Sequence, residues 1–276
     1  MRNGQPWEDP KAPYSAGWAF RSTCSDDGCV ATGSLLKDRT SPPAQQMVFD
    51  FVDGRWLGVS DTNSTTCEVK STGESKTAQV WFVISLKPHQ DGTLSGTAYN
   101  IVTDACRTVL QWQITATRRG ENPEGVTIAD PTSQPPLVSS PAQSFRGRYV
   151  AAFKDQPHQP TGTWTPNNHC LRTGERCVTL VDIAPDPSTG KVPYIDEFVY
   201  VDGQWTGIKP GGGPQPCGEG TSEKSSGATG SVKFALPPPP VPDPIQSLTL
   251  AYSLERVGGD CPGTAERTSI LNRIGD

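Results

Sequence analysis

Apolar and polar residues alternate along much of the chain with a period of two. In Val109–Thr117, Leu110, Trp112, Ile114 and Ala116 fall on one side, and Gln111, Gln113, Thr115 and Thr117 on the other. Residues 247–254 repeat the pattern, with Leu248, Leu250, Tyr252 and Leu254 set against Ser247, Thr249, Ala251 and Ser253. Successive side chains of a strand point to opposite faces, so this alternation predicts antiparallel strands with one buried face. Further strands are predicted at 17–23, 29–35, 46–52, 55–60, 78–87 and 93–100, with the same order in the second half. The Ser/Thr/Gly-rich stretch that follows Ser60 reads as a loop. No segment joins a 3.6-residue period to helix caps. The fold class predicted is all-β: two antiparallel β domains, each a barrel-like meander or a sandwich, with the meander favoured.

The second half repeats the first. Trp18 matches Trp164 and Cys24 matches Cys170 at an offset of 146, Cys29 matches Cys177 at 148, Cys67 matches Cys217 at 150, and Cys106 matches Cys261 at 155. The segment Val52-Asp53-Gly54-Arg55-Trp56-Leu57-Gly58 recurs as Val201-Asp202-Gly203-Gln204-Trp205-Thr206-Gly207. A slowly growing offset is what results when loops lengthen and strands keep register. The boundaries predicted are a first β repeat at 1–120, a Pro-rich linker at 121–145 and a second β repeat at 146–276. The linker carries Pro123, Pro131, Pro135, Pro136 and Pro141 and should be extended and semi-rigid. The strand at Gly147–Phe153 of the second repeat falls, after the offset, on polar residues 3–7, so the first repeat should lack its first strand.

The Asp53-Gly54 and Asp202-Gly203 steps lie between apolar runs. Asp-Gly accepts positive φ at the centre of a tight hairpin, which is the reading given to both. Trp18, Trp56, Trp164 and Trp205 recur at matching places and read as core plugs, with a ligand-lining role as the alternative.

Composition narrows the class. Gly and Pro number 28 and 27, apolar residues make up 34%, and the net charge is −5. A mildly acidic chain offers no dense basic field for nucleic acid, and no apolar run reaches the ~18 residues of a membrane helix. A membrane role would need sequence outside this chain. The eight cysteines, none in a Cys-x-x-Cys, and only two methionines point to an exported protein with structural disulfides. Cys24/Cys29 and Cys170/Cys177 flank turn-like segments and suit pairing across a hairpin end. If each repeat keeps its own four, Cys67–Cys106 and Cys217–Cys261 remain. The first residues, Met-Arg-Asn-Gly-Gln-Pro-Trp-Glu, contain no apolar signal segment, which predicts a piece of a longer precursor. A cytosolic protein with reduced cysteines is the competing reading.

Catalytic chemistry is hard to find. His89, His158 and His169 do not recur between repeats, and no nucleophile, zinc, phosphate-loop or dinucleotide motif is present. Asp50, Asp53, Asp196, Glu197 and Asp202 gather around the repeated hairpin. A paired-carboxylate hydrolase would want two acids facing a cleft, whereas Asp53 and Asp202 already have a turn to make. Leu236–Pro244, with six prolines, should project from a hairpin as a polyproline II loop. No catalytic, cofactor-binding or metal residue and no cofactor is predicted.

The repeated unit resembles the exported sensor-like β domains of mycobacteria and other actinobacteria, found as ectodomains of receptor-type Ser/Thr protein kinases and in related secreted or lipid-anchored proteins. The resemblance rests on Trp18, Cys24-x₄-Cys29, Val52-Asp-Gly-Arg-Trp56, Cys67 and Cys106, and in the second copy on Trp164, Cys170-x₆-Cys177, Val201-Asp-Gly-Gln-Trp205, Cys217 and Cys261. It implies an extracellular or envelope location, all-β domains and ligand sensing or dimerisation, and no catalytic residue. The function expected is therefore a non-enzymatic ligand-binding or sensor-type ectodomain. Its partner would be an unidentified small molecule or envelope component, with a homodimer as a further option. The alternatives are a secreted hydrolase using loop residues of one domain and a stand-alone secreted interaction protein.

Overall fold

The computed structural model describes residues 1–7, 15–26, 28–36, 46–69, 73–210, 217 and 222–276. The first half forms one seven-stranded antiparallel sheet in chain order: β1 (Gly17–Ser25), β2 (Gly28–Leu36), β3 (Gln46–Val52), β4 (Arg55–Val69), β5 (Glu74–Pro88), β6 (Leu94–Val102) and β7 (Thr108–Ala116). The second half forms a closed eight-stranded barrel: β8 (Arg148–Phe153), β9 (Gln156–Cys170), β10 (Arg176–Pro185), β11 (Tyr194–Val201), β12 (Gln204–Pro210), β13 (Gly227–Ala235), β14 (Ser247–Val257) and β15 (Gly263–Gly275). Strands β1–β7 correspond in order to β9–β15. The barrel closes because β8 pairs with both β9 and β15. In the first half, residues 1–7 contribute isolated bridges at Arg2. The rest of the expected gap in the first repeat includes residues 8–14, which lie outside the described residues.

Both Asp-Gly steps make tight hairpins in which two consecutive residues have positive φ: 50° and 74° at Asp53 and Gly54, 51° and 78° at Asp202 and Gly203. The closing glycine of each repeated motif has a different job. A Cβ on Gly58 would sit 2.7 Å from the Phe49 ring, and one on Gly207 would sit 2.7 Å from the Phe198 ring. Each glycine leaves room for an aromatic ring to lie over the neighbouring strand.

Three expectations are corrected. The Ser/Thr-rich stretch after Ser60 is strand, not loop: β4 runs on to Val69 and pairs with β5 as far as Val69↔Glu74, after a register shift between Ser60 and Asn63. Threonines suit a pleated edge, and Cys67 anchors the extension. The linker is more than a connector. It forms short 3₁₀ turns at Pro131–Ser133 and Pro141–Ser144, the second with a capping box between Ser140 and Gln143, and it inserts Ala142 and Phe145 wholly into the barrel core. The proline-rich segment does not simply project, because Leu236 and Val241 pack on that core and lead into fully buried Ile245.

The barrel interior is dense in rings. Trp205 stacks on Phe234 at 5.0 Å, Phe145 meets both edge-on, and Trp164 stacks on Phe198 at 5.7 Å. Its polar atoms form a chain. The Trp205 indole N–H donates to Thr179 Oγ1 (3.0 Å), the Thr179 hydroxyl donates to Asn168 Oδ1 (2.6 Å), and the Asn168 amide donates to the Phe145 carbonyl (2.6 Å). Buried donors that are all satisfied fix a single arrangement.

The corresponding inner face of the first sheet is much thinner. Ala31, Met47 and Phe49 are buried there, with Trp18, Trp56, Phe82 and Ile84 only partly so, and Phe20 and Phe51 are each 39% exposed. The outer face of that sheet is covered instead. Trp81, Val83, Ile101 and Val109 pack against Val178, Leu180 and Ile195 on the wall of the barrel.

Candidate functional site

Three arginines cross the seam between sheet and barrel. Arg107 follows the short turn that holds Cys106, and it reaches into the barrel wall. There its Nε donates to Glu197 at 2.7 Å, and its Nη2 donates to the Ile195 carbonyl at 3.3 Å and to Asp196. Both carboxylates are almost fully buried. Arg172 and Arg176 reach the other way. Arg172 pairs with Asp50 and donates to the Pro135 carbonyl, and Arg176 pairs with Asp61, donates to Gln79 Oε1 at 2.8 Å, and lies 5.4 Å over the Trp81 ring.

Burial pushes the Glu197 carboxyl up to about 8, with the neighbouring Asp196 adding to the rise and Arg107 opposing it. Burial also raises Asp50, against the pull of Arg172. His169 projects from β9 towards Tyr99 of β6, with ring centroids 5.9 Å apart. Burial alone lowers its pKa to about 4, so the ring is neutral at physiological pH.

Beside these contacts lies a cleft of about 350 Å³. Val48, Leu57 and Val59 come from the sheet, Leu137 and Val138 from the linker, and Leu171 from the loop after β9. The Asp50–Arg172 pair sits in its wall, and Asp61, Gln143 and Asn168 add polar atoms. The site is thus an apolar slot with a few placed polar groups. It is built by three parts of the chain that are remote in sequence.

The structure separates the acids that the hairpin motif placed together. Asp53 and Asp202 stay at the turns, Asp50 faces the cleft, and Asp196 and Glu197 are committed to Arg107. Each acid that lines the cleft is held by an arginine, so the arrangement offers charge pairing and not a free acid–base pair. Trp164 and Trp205 plug the barrel core, Trp18 and Trp56 lie partly exposed on the open sheet, and none of the four lines the cleft. The eight cysteines pair as Cys24–Cys29, Cys67–Cys106, Cys170–Cys177 and Cys217–Cys261. Among the described residues no cluster of His, Cys, Asp and Glu could hold a metal ion, and no helix is long and apolar enough to cross a membrane. Arg107, Arg172 and Arg176 were not legible as site residues. Only their neighbourhood to cysteines in sequence hinted at fixed positions, because Arg107 adjoins Cys106 and Arg176 adjoins Cys177.

Residues 1–133 match the family model of the PknI serine/threonine-protein kinase sensor domain. The serine/threonine-protein kinases PknI of Mycobacterium bovis and Mycobacterium tuberculosis are 28% identical over 127 residues, which cover 43% of this chain and 22% of each kinase. The chain therefore matches little more than a fifth of the length of those relatives. Among solved structures, the dimer form of the M. tuberculosis PknI sensor domain aligns at 26% identity with a TM-score of 0.39, over 47% of this chain and 90% of that one. The monomer form aligns at 24% identity with a TM-score of 0.36, over 48% and 87%. The resemblance to mycobacterial kinase ectodomains is borne out. Over residues 1–133 it is to the sensor part of the kinase and not to its catalytic part.

Proposed function

We propose that this chain, whose residues 1–133 carry a sensor domain of the PknI serine/threonine-protein kinase type, is an exported ectodomain that binds a small molecule in the cleft between its two repeats. Four disulfides fit a location outside the reducing cytosol. The observation that carries the binding reading is the construction of the cleft. Its apolar walls come from both halves and from the linker, so an occupant would touch all three at once. The domain plan of two β repeats around a connector that also plugs the barrel is part of this proposal. The ion pairs beside the cleft hold sheet and barrel together, so binding there would change the strength of that union.

A fragment screen by ligand-observed NMR tests the reading. The screen is run on the wild type and on Val59→Trp, which fills the slot. Apolar fragments that bind the first and lose the second support it. A screen with no binders, or binders indifferent to the filled slot, overturns it.

A further inference from the structure

The two repeats differ in one structural respect that bears on binding. In the barrel, β8 occupies the lane beside β15 and turns Tyr149 and Ala151 into the core, next to Phe145. Among the described residues, the first sheet has no strand in that lane. β7, the counterpart of β15, pairs with β6 on one side. On its other side, among the described residues, the first residues of the chain approach it. The Gln111 N–H donates to the Met1 carbonyl at 2.9 Å, the Met1 ammonium donates to the Gln111 carbonyl at 2.7 Å, and the Asn3 N–H donates to the Val109 carbonyl at 2.7 Å. Arg2 faces Leu110 in an antiparallel bridge.

These contacts fix a register in which Met1 opposes Gln111 and the chain direction is antiparallel to β7. Antiparallel residues alternate between pointing their N–H groups inward and outward. Since Gln111 points outward, Gln113 and Thr115 do so too. Both are exposed, and among the described residues no strand pairs with their outer side. Leu110, Trp112, Ile114 and Ala116 of β7 are all partly exposed and lie on the thinly covered face of the sheet.

We propose that the edge of β7 is a strand acceptor, and that its occupant is an extended strand joined to the amino side of Met1. Carried on antiparallel, that strand sets its first, third and fifth residues before Met1 opposite Trp112, Ile114 and Ala116. Those positions share a face with Trp112, Ile114 and Ala116 and should be apolar. The barrel's own β8 is the template, with inward Tyr149 and Ala151. This inference is independent of the cleft.

The test appends Arg-Tyr-Val-Ala-Ala-Phe, the sequence of β8, directly before Met1, and compares it with the same segment followed by one extra serine. A one-residue shift turns every side chain to the opposite face. The in-register extension should slow amide exchange at Gln113 and Thr115 by about tenfold or more, raise the melting temperature and shift tryptophan emission to the blue. The shifted extension should do none of these. Thr115→Pro, which removes an outward N–H at an edge that tolerates proline, should abolish the gain. If the fused protein is not recovered folded, the free hexapeptide added to the unmodified chain is read at the same two amides. Equal effects from both registers, or no protection at Gln113 and Thr115 in either format, would overturn the proposal.

Discussion

At the scale of single residues, the repeated Val-Asp-Gly-x-Trp-x-Gly motif divides into parts with separate causes. Asp and Gly make the turn, because the tight hairpin needs positive φ twice in succession. The last Gly makes room for a ring on the paired strand. Adding one methyl group at Gly58 or Gly207 should therefore force Phe49 or Phe198 out of place, at a cost of roughly 1–3 kcal/mol for overpacking. Gly207→Ala should cost more than Gly58→Ala. Phe198 is enclosed by Trp164 and Phe234 inside a closed barrel, whereas Phe49 lies against the exposed Phe20 ring, which can yield. Chemical denaturation of the two variants checks the order, and equal losses would show that the open sheet is packed as tightly as the barrel. The turn half of this motif was legible in the sequence, because Asp-Gly has a local backbone reason. The role of the last glycine was not, because it depends on a ring that reaches it only through strand pairing.

At the scale of elements, the four disulfides do unequal work. Cys24–Cys29 and Cys170–Cys177 close hairpin ends 5 and 7 residues apart in sequence, while Cys67–Cys106 and Cys217–Cys261 close spans of 39 and 44. In the chain-entropy account the short loops contribute about 2 kcal/mol each and the long ones about 4. Removing Cys67–Cys106 should cost more than that difference suggests, because the same short turn delivers Arg107 to the barrel. The paired Cys→Ser variants, compared by thermal melting, should rank the Cys67/Cys106 double variant well below the Cys24/Cys29 one. Interchangeable melting temperatures would mean that the turn keeps its place without the bridge. The extension of β4 to Val69 belongs to the same region. Its polar sequence reads as loop, yet it pairs because Cys67 at one end and β5 alongside supply the order that its own composition does not.

At the scale of the molecule, the seam couples two titrating groups of opposite sense. His169, depressed to about 4 from an ordinary 6.5, favours the folded state when neutral, so its contribution is present above pH 6.5 and is lost as pH falls towards 4. The full span corresponds to about 3 kcal/mol. Glu197, raised to about 8 from 4.5, holds its proton more tightly when folded, so its contribution is present below 4.5 and is lost as pH rises towards 8. Between about 4.5 and 6.5 the two slopes oppose each other, and above 6.5 only the Glu197 slope remains. Stability should therefore be nearly level across mildly acidic pH and should fall towards pH 8. Glu197→Gln should remove the alkaline fall and leave a loss on the acid side, and His169→Phe should do the reverse. Melting temperatures from pH 4 to 8.5 for the three proteins check this. Parallel curves would show that neither group is linked to folding.

Local rules settled the all-β class, the duplication, the hairpins and the partition of the cysteines, because each depends on residues close in sequence or on a pattern repeated within it. The sidedness of strands such as β7 and β14 follows from alternation alone. Tertiary structure decided the rest. Which repeat closes into a barrel depends on β8 and on Phe145, a single ring in a polar linker that no period marks. Which face of the first sheet meets the barrel depends on Trp81, Val83 and Ile101, whose alternation fits either side equally well. The arginine–carboxylate pairs of the seam join residues 89 to 122 apart in the chain, from Arg107 with Asp196 to Arg172 with Asp50. A one-dimensional pattern records which residues want burial, but not which surface will bury them.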